Sequence, residues 1–217
     1  MHFKGIVFDM DGLMFDTERL AIEGWLHAGR QSGWPITREL IIGTIGFNTE
    51  RTRSYYAEQL GPNFDYDQVS RMARERVQSL IEADGLPMKP GLQELLIYFK
   101  GRDCKIALAT STRIGRARQN LERAGIIRYF DALVGGDMVA RSKPEPDIYL
   151  EACRRLGLPP GDCLAFEDSP AGIRSATSAG MSAIMVPDII RPDAGIRALI
   201  LAELNQLDEA IDLLEAT

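Results

Sequence analysis

Two aspartates, Asp9 and Asp11, stand two residues apart where a short apolar run, Gly5-Ile6-Val7-Phe8, comes to an end, and Gly12 follows at once. Such a run reads as a buried strand, and Asp-Gly as a turn. If extended geometry persists through Asp11, the two-residue alternation points both carboxylates to the same side. Like charges this close, with no basic residue beside them in sequence, are costly unless a cation or a shared proton sits with them. Three later segments carry complementary groups: Thr110-Ser111-Thr112, Ser142-Lys143-Pro144-Glu145-Pro146-Asp147, and Glu167-Asp168.

Elements of two kinds must position these residues. From Gly91 onward strands and helices alternate. Helix Leu92 to Lys100 precedes strand Lys105 to Ala109, and a helix carrying Ile114, Ala117, Leu121 and Ala124 on one face precedes strand Ala132 to Val134. A helix from about Pro146 to Leu156 leads to strand Cys163 to Phe166. Ser169-Pro170 then supplies an N-cap and a first-turn proline for a helix that ends at Gly180. Ser182 to Val186 is expected to be the last core strand, and Gly195 to Ala216 an amphipathic helix. Alternation with right-handed crossovers predicts an α/β fold, a doubly wound parallel sheet. Ligands of such sheets bind beyond the carboxyl ends of the strands, which here carry Asp9/Asp11, Thr110/Ser111, Gly136/Asp137 and Glu167/Asp168.

Between Asp16 and about Ala83 the pattern is helical throughout, with apolar residues three and four apart, as in Val69, Met72, Ala73, Val77, Leu80 and Ile81. Lys89-Pro90-Gly91 marks the return to the alternating region. A helical insertion directly after the first strand reads as a lid over the aspartate pair.

The whole chain of 217 residues carries a net charge of −6, which disfavours nucleic acid and anionic membranes as partners. No apolar run approaches a membrane span, no signal-peptide pattern precedes the first strand, and Cys104, Cys153 and Cys163 lack metal or redox spacing. Buried free thiols and a reducing cytoplasm are expected. A monomer is the expected state, with an oligomer left open.

Asp9-Met10-Asp11-Gly12-Leu13-Met14-Phe15-Asp16-Thr17 resembles the first motif of the haloacid dehalogenase superfamily of phosphohydrolases, in the branch of β-phosphoglucomutase and small sugar-phosphate phosphatases. Thr110 matches the second motif, Lys143 the third, and Glu167-Asp168 in Phe166-Glu167-Asp168-Ser169 the fourth. Each is weak alone; four in order, each at an element boundary, are specific, and the likeness covers nearly the whole chain. It implies a Rossmann-like core of residues 1–15 and 88–217 with an all-helical cap of residues 16–87. It also implies Mg²⁺-dependent phosphoryl transfer to and from small phosphorylated metabolites, above all sugar phosphates. Asp9 would be the nucleophile, and Asp11 would protonate the leaving oxygen and then deprotonate water. Asp9, the backbone carbonyl of Asp11, and Asp168 would hold magnesium, with Glu167 either a ligand or a neighbour of one. Thr110, Ser111 and Lys143 would hold the phosphate.

What the chain lacks narrows the reaction. Dehalogenases of the superfamily do not carry the second aspartate, and phosphonate-cleaving members use a lid lysine, whereas no lysine lies between Gly5 and Met88 here. β-Phosphoglucomutases usually carry a histidine where this chain has Ala21, and a Gly-x-Ser-Arg pattern where it has Gly43-Thr44-Ile45-Gly46. Arg51 or Arg53 could substitute as a second anion site, although solvated helix charges are the plainer reading. A phosphatase is therefore preferred, with a sugar phosphomutase as the alternative. A non-catalytic phosphate-binding or partner-binding protein is the third reading.

Overall fold

The computed structural model describes residues 3–45 and 49–216, so Gly46 of the lid-glycine comparison and the leading Met1-His2 lie outside the described residues. The chain divides into two compact units, Met1–Asp16 with Leu86–Thr217, and Thr17–Gly85.

In the first unit β1 (Gly5–Phe8) is buried along its whole length. The second unit holds α1 (Thr17–Ser32), α2 (Arg38–Ile42), α3 (Thr49–Leu60) and α4 (Tyr66–Asp84). Its centre is aromatic: Tyr56 stacks on Trp25 at 4.7 Å and on Phe64 at 5.5 Å between ring centroids. Thr37 and Asp65 accept hydrogen bonds from Leu40 N–H and Gln68 N–H, so α2 and α4 begin at side-chain caps.

The chain then returns to the first unit with α5 (Leu92–Lys100), β2 (Lys105–Thr110), α6 (Ile114–Arg123), β3 (Ala132–Gly135), α7 (Asp147–Leu156) and β4 (Cys163–Glu167). It continues through α8 (Pro170–Ser178), β5 (Ser182–Met185), α9 (Ala194–Arg197), β6 (Ala202–Glu203) and α10 (Glu209–Glu215). All strand pairs are parallel, in the order β3-β2-β1-β4-β5-β6. The tail corrects the expectation of one helix from Gly195 to Ala216: α9 stops after one turn, and Leu201 N–H bonds Ala183 O to start a sixth strand beside β5. Val186 therefore does not close the sheet.

Residue size separates the two faces. On one side Ile6, Phe8, Leu108, Phe166 and Ile184 meet Leu95, Leu96 and Phe99 of α5. Phe8 stacks on Phe166 at 5.1 Å. On the other side Val7, Ala107, Ala109, Ala165 and Ala183 present small side chains to α7 and α8, which lets those helices lie close to the sheet. Cys104, Cys153 and Cys163 are buried and free, as expected. Among the described residues no helix is long and apolar enough to cross a membrane.

The two stretches joining the units run side by side within the first unit. Phe15 forms an antiparallel bridge with Met88, Asp16 N–H bonds Pro87 O at 3.0 Å, and Lys89 N–H bonds Met14 O at 2.9 Å.

Candidate active site at the carboxyl edge of the sheet

Strand order reverses at β1, whose neighbours β2 and β4 lead outward in opposite directions, and this is where doubly wound sheets bind ligands. Register sets the depth of each group. Phe8 pairs with Leu108 on one side and Phe166 on the other, so Asp9, Thr110 and Glu167 emerge from adjacent strands at nearly one level. After Asp9 the chain folds back tightly: Met14 N–H and Phe15 N–H both bond Met10 O, and Gly12 N–H bonds Phe15 O. Gly12 has φ of 84°, and a Cβ there would overlap the Asp168 carboxylate, so the turn needs glycine for both conformation and space.

Lys143 lies at the centre. Its ammonium donates to Asp9 Oδ1 at 2.5 Å, Glu167 Oε1 at 2.5 Å and Ala109 O at 3.1 Å. Its side chain is 8% exposed, and Glu167 is fully buried. The loop carrying it is fixed from both sides: Arg141 pairs with Asp147 at 2.7 Å, and Ser175 of α8 donates to Glu145 O at 2.5 Å. Glu167 accepts more than its lysine. Tyr149 hydroxyl donates to Oε1 at 2.7 Å, while Asp168 N–H, Ser169 N–H and Ser169 hydroxyl reach Oε2 at 3.1, 3.2 and 3.1 Å. A carboxylate offers about four lone-pair directions, so Glu167 is fully subscribed by protein donors.

The electrostatics follow from this crowding. Burial pushes the Asp9 carboxyl up to about 7; Lys143 pulls it back, and the nearby Glu167 and Asp11 carboxylates add to the rise. Burial alone would lower Lys143, but Asp9 and Glu167 outweigh it and keep the ammonium charged. Burial alone would raise Glu167, but Lys143, Tyr149 and Ser169 N–H hold it below the usual carboxylate range. Two of the four carboxylates here, Asp9 and Glu167, contact the Lys143 ammonium, while Asp11 turns to Thr112. The surplus negative charge suits a hard divalent cation, and oxygens of Asp9, Glu167 and Asp168 all lie within 4.8 Å of one another.

The remaining candidates take distinct positions. The Asp11 carboxylate turns to the motif after β2: Thr112 hydroxyl donates to its Oδ2 at 2.7 Å, with Thr110 hydroxyl farther off at 3.5 Å. Thr110 is buried and its hydroxyl also accepts from Thr112 N–H at 3.1 Å. Ser111 is exposed, and its backbone carbonyl lies against Gly136. Thr110 does not cap α6; Asp137 does so from the end of β3, accepting from Ile114 N–H at 2.9 Å. The sequence reading missed three partners: Thr112 on Asp11, Tyr149 on Glu167, and Asp137 on α6. Asp137 left a signal as an acidic residue at a strand end, and Thr112 as part of the polar run after β2; Tyr149 left none.

A parallel sheet with acidic strand ends and one buried ammonium at its switch point defines an α/β enzyme whose site lies along the carboxyl edge. The chain belongs to the haloacid dehalogenase-like hydrolase family, whose model matches residues 6–186. It is 33% identical to a phosphorylated carbohydrates phosphatase of Thermotoga maritima, over 83% of each chain. It is equally 33% identical to a β-phosphoglucomutase of Bacillus subtilis, over 84% of this chain and 83% of that one. Among solved structures, CbbY from Rhodobacter sphaeroides in complex with phosphate superposes with a TM-score of 0.75 at 26% identity, covering 95% of this chain and 96% of that one.

Proposed function

We propose that this enzyme is a magnesium-dependent phosphatase of small phosphorylated carbohydrates that works through an aspartyl phosphate on Asp9. The observation that carries the reading is the Asp9 carboxylate, buried at the end of β1 and gripped by Lys143 with Asp168 and Glu167 beside it. Asp9 Oδ attacks phosphorus as the ester P–O bond breaks, and the departing alkoxide takes the proton of Asp11. Water then attacks the aspartyl phosphate, Asp11 takes its proton, and phosphate leaves with Asp9 regenerated. Thr112 orients the Asp11 carboxyl for both transfers. Lys143 supplies positive charge to the nonbridging phosphate oxygens, joined by the Thr110 hydroxyl and the Ser111 backbone. Asp9, Asp168 and the backbone carbonyl of Asp11 would hold Mg²⁺, which when bound would supply charge neutralisation for the transferring group. Glu167, its lone pairs taken, orients Lys143. The helical unit Thr17–Gly85, as the cap, would select the substrate.

A sugar phosphomutase is the competing reading, because one relative is a β-phosphoglucomutase. A mutase needs a second phosphate grip in the helical unit. Arg53 is committed elsewhere, to a two-bond pair with Asp67 at 2.6 and 2.7 Å and to the face of Tyr66 at 4.8 Å. Arg53 would have to give up this exposed pair to grip a second phosphate, and Ala21 in place of the mutase histidine favours the phosphatase.

The test is phosphate release from a panel of sugar monophosphates with Mg²⁺, with and without a sugar bisphosphate primer. Steady release without primer, lost in Asp9→Asn, is expected. Isomerised sugar phosphate that accumulates only with primer would make the enzyme a mutase.

A further inference from the structure

Neither the aspartate chemistry nor a metal requires Tyr149, yet it touches both ends of the pair that grips the nucleophile. It is the third residue of α7, in a helix brought close to the sheet by the alanine-lined face. Its side chain is fully buried; the hydroxyl lies 2.7 Å from Glu167 Oε1, and the ring centre lies 5.1 Å from Lys143 Nζ. A phenylalanine would fill the same volume without a polar atom to satisfy, so the hydroxyl at this depth is costly unless its bond does something.

We propose that Tyr149 is a positioning residue, whose hydroxyl fixes Glu167 Oε1 and thereby holds the Lys143 ammonium against Asp9. Two anchors define the Glu167 carboxylate. Backbone and side-chain donors of Asp168 and Ser169 pin Oε2, and Tyr149 with Lys143 pins Oε1. Without the tyrosine hydroxyl, Lys143 is the one donor left on Oε1 among the described residues, and small shifts about the pinned Oε2 change how closely it holds the ammonium to Asp9. The consequence is greatest in the middle of the reaction. Once Asp9 carries a phosphoryl group, Lys143 must turn toward the phosphoryl oxygens, and Glu167 is the carboxylate that still fixes it from the protein side. The ring face, turned to the ammonium, narrows the space into which Lys143 could move. This inference rests on the phosphatase reading for its kinetic consequence, though not for its geometry.

The test is Tyr149→Phe, measured in two ways. With lysine labelled by ¹⁵N, the metal-free wild type should give a slowly exchanging ammonium signal from Lys143, assigned by its loss in Lys143→Met. In Tyr149→Phe that signal should move or broaden, while the exposed Lys4 stays unchanged. With Mg²⁺ and a sugar phosphate, kcat should fall about tenfold with KM within about twofold, the range for loss of an outer-shell partner. 4-Aminophenylalanine at position 149, which keeps a donor on the ring, should restore most of kcat. An unchanged Lys143 signal overturns the inference whether or not the wild type is active. So does an unchanged kcat in an active enzyme. A Tyr149→Phe protein that does not fold also overturns it, because the hydroxyl would then serve stability. A wild type with no phosphatase activity refutes the reading of the reaction, and the lysine signal still decides the positioning.

Discussion

Gly172→Ala sets two physical effects against each other. Gly172 is the third residue of α8, and replacing glycine by alanine in a helix ordinarily stabilises by up to about 1 kcal/mol. Here the added methyl would overlap the carboxyl carbon and both oxygens of Glu167. The carboxylate has no room to yield, since it is fully buried and accepts five hydrogen bonds, one from an ammonium. Overpacking costs about 1–3 kcal/mol, and losing even one bond to a charged group costs about 1.5–3 more. After subtracting the propensity gain, the variant should be destabilised by about 2–5 kcal/mol. At roughly 2–4 °C per kcal/mol for a chain of this size, the midpoint of thermal unfolding should fall by about 4–20 °C. Folded enzyme should also lose at least about tenfold in kcat, because Lys143 moves with its partner. Gly115→Ala is the control. It lies in the first turn of α6 with nothing within 4 Å of the added methyl, so it should be neutral or slightly stabilising. If Gly172→Ala melts with or above the wild type and keeps its kcat, Glu167 is not packed as described and its role as the lysine anchor fails.

Two further substitutions probe other contacts. Thr112→Val removes the 2.7 Å bond to Asp11 at nearly constant volume; kcat should fall about tenfold with KM little changed, and steady-state kinetics at saturating Mg²⁺ would detect it. Asp131→Asn tests a charge that links α5 to β2, where Asp131 accepts from Lys100 at 2.6 Å and Ile106 N–H at 2.7 Å. Burial alone would raise this carboxyl, but Lys100 and Ile106 N–H outweigh it and hold it below the usual range. With the folded pKa below the unfolded value of about 3.9, the charge stabilises above that pH and its contribution disappears as pH falls through the folded pKa. Urea unfolding should therefore show the variant weaker at pH 7 by under about 1 kcal/mol, with the difference shrinking as pH falls below the unfolded pKa.

The parts of this molecule that were legible beforehand are those written in neighbouring residues. Apolar runs that stop at Asp9, Thr110 and Glu167 give both the strands and the positions of the site, because a buried strand end and a polar group announce each other locally. The sixth strand was not legible. Ala202-Glu203 is too short to show a period of two, and it pairs with β5 only because the chain after α9 is carried back to the sheet edge. The expected tail helix fails for the same reason: the apolar residues Leu199, Ile200 and Leu201 suit either element, and the pairing partner decides. Within the site, Thr112 stands in the polar run after β2, and Tyr149 reads as an ordinary helix residue. Their bonds to Asp11 and Glu167 depend on the register of β1 with β2 and β4, and on how closely α7 approaches an alanine face.

The paired stretches around Phe15 and Met88 have a bearing on how such a chain can change over time. The polypeptide leaves the first unit and re-enters it at adjacent positions joined by backbone hydrogen bonds. Whatever is spliced between them closes a loop whose ends are already together, so its length adds little to the entropic cost of assembling the sheet. Insertions, deletions and wholesale replacement there leave the alignment of β1 with its neighbours undisturbed. Asp9 and Lys143 can thus stay fixed while the inserted helices diverge, so that changes in those helices need not disturb the residues gathered at the end of β1.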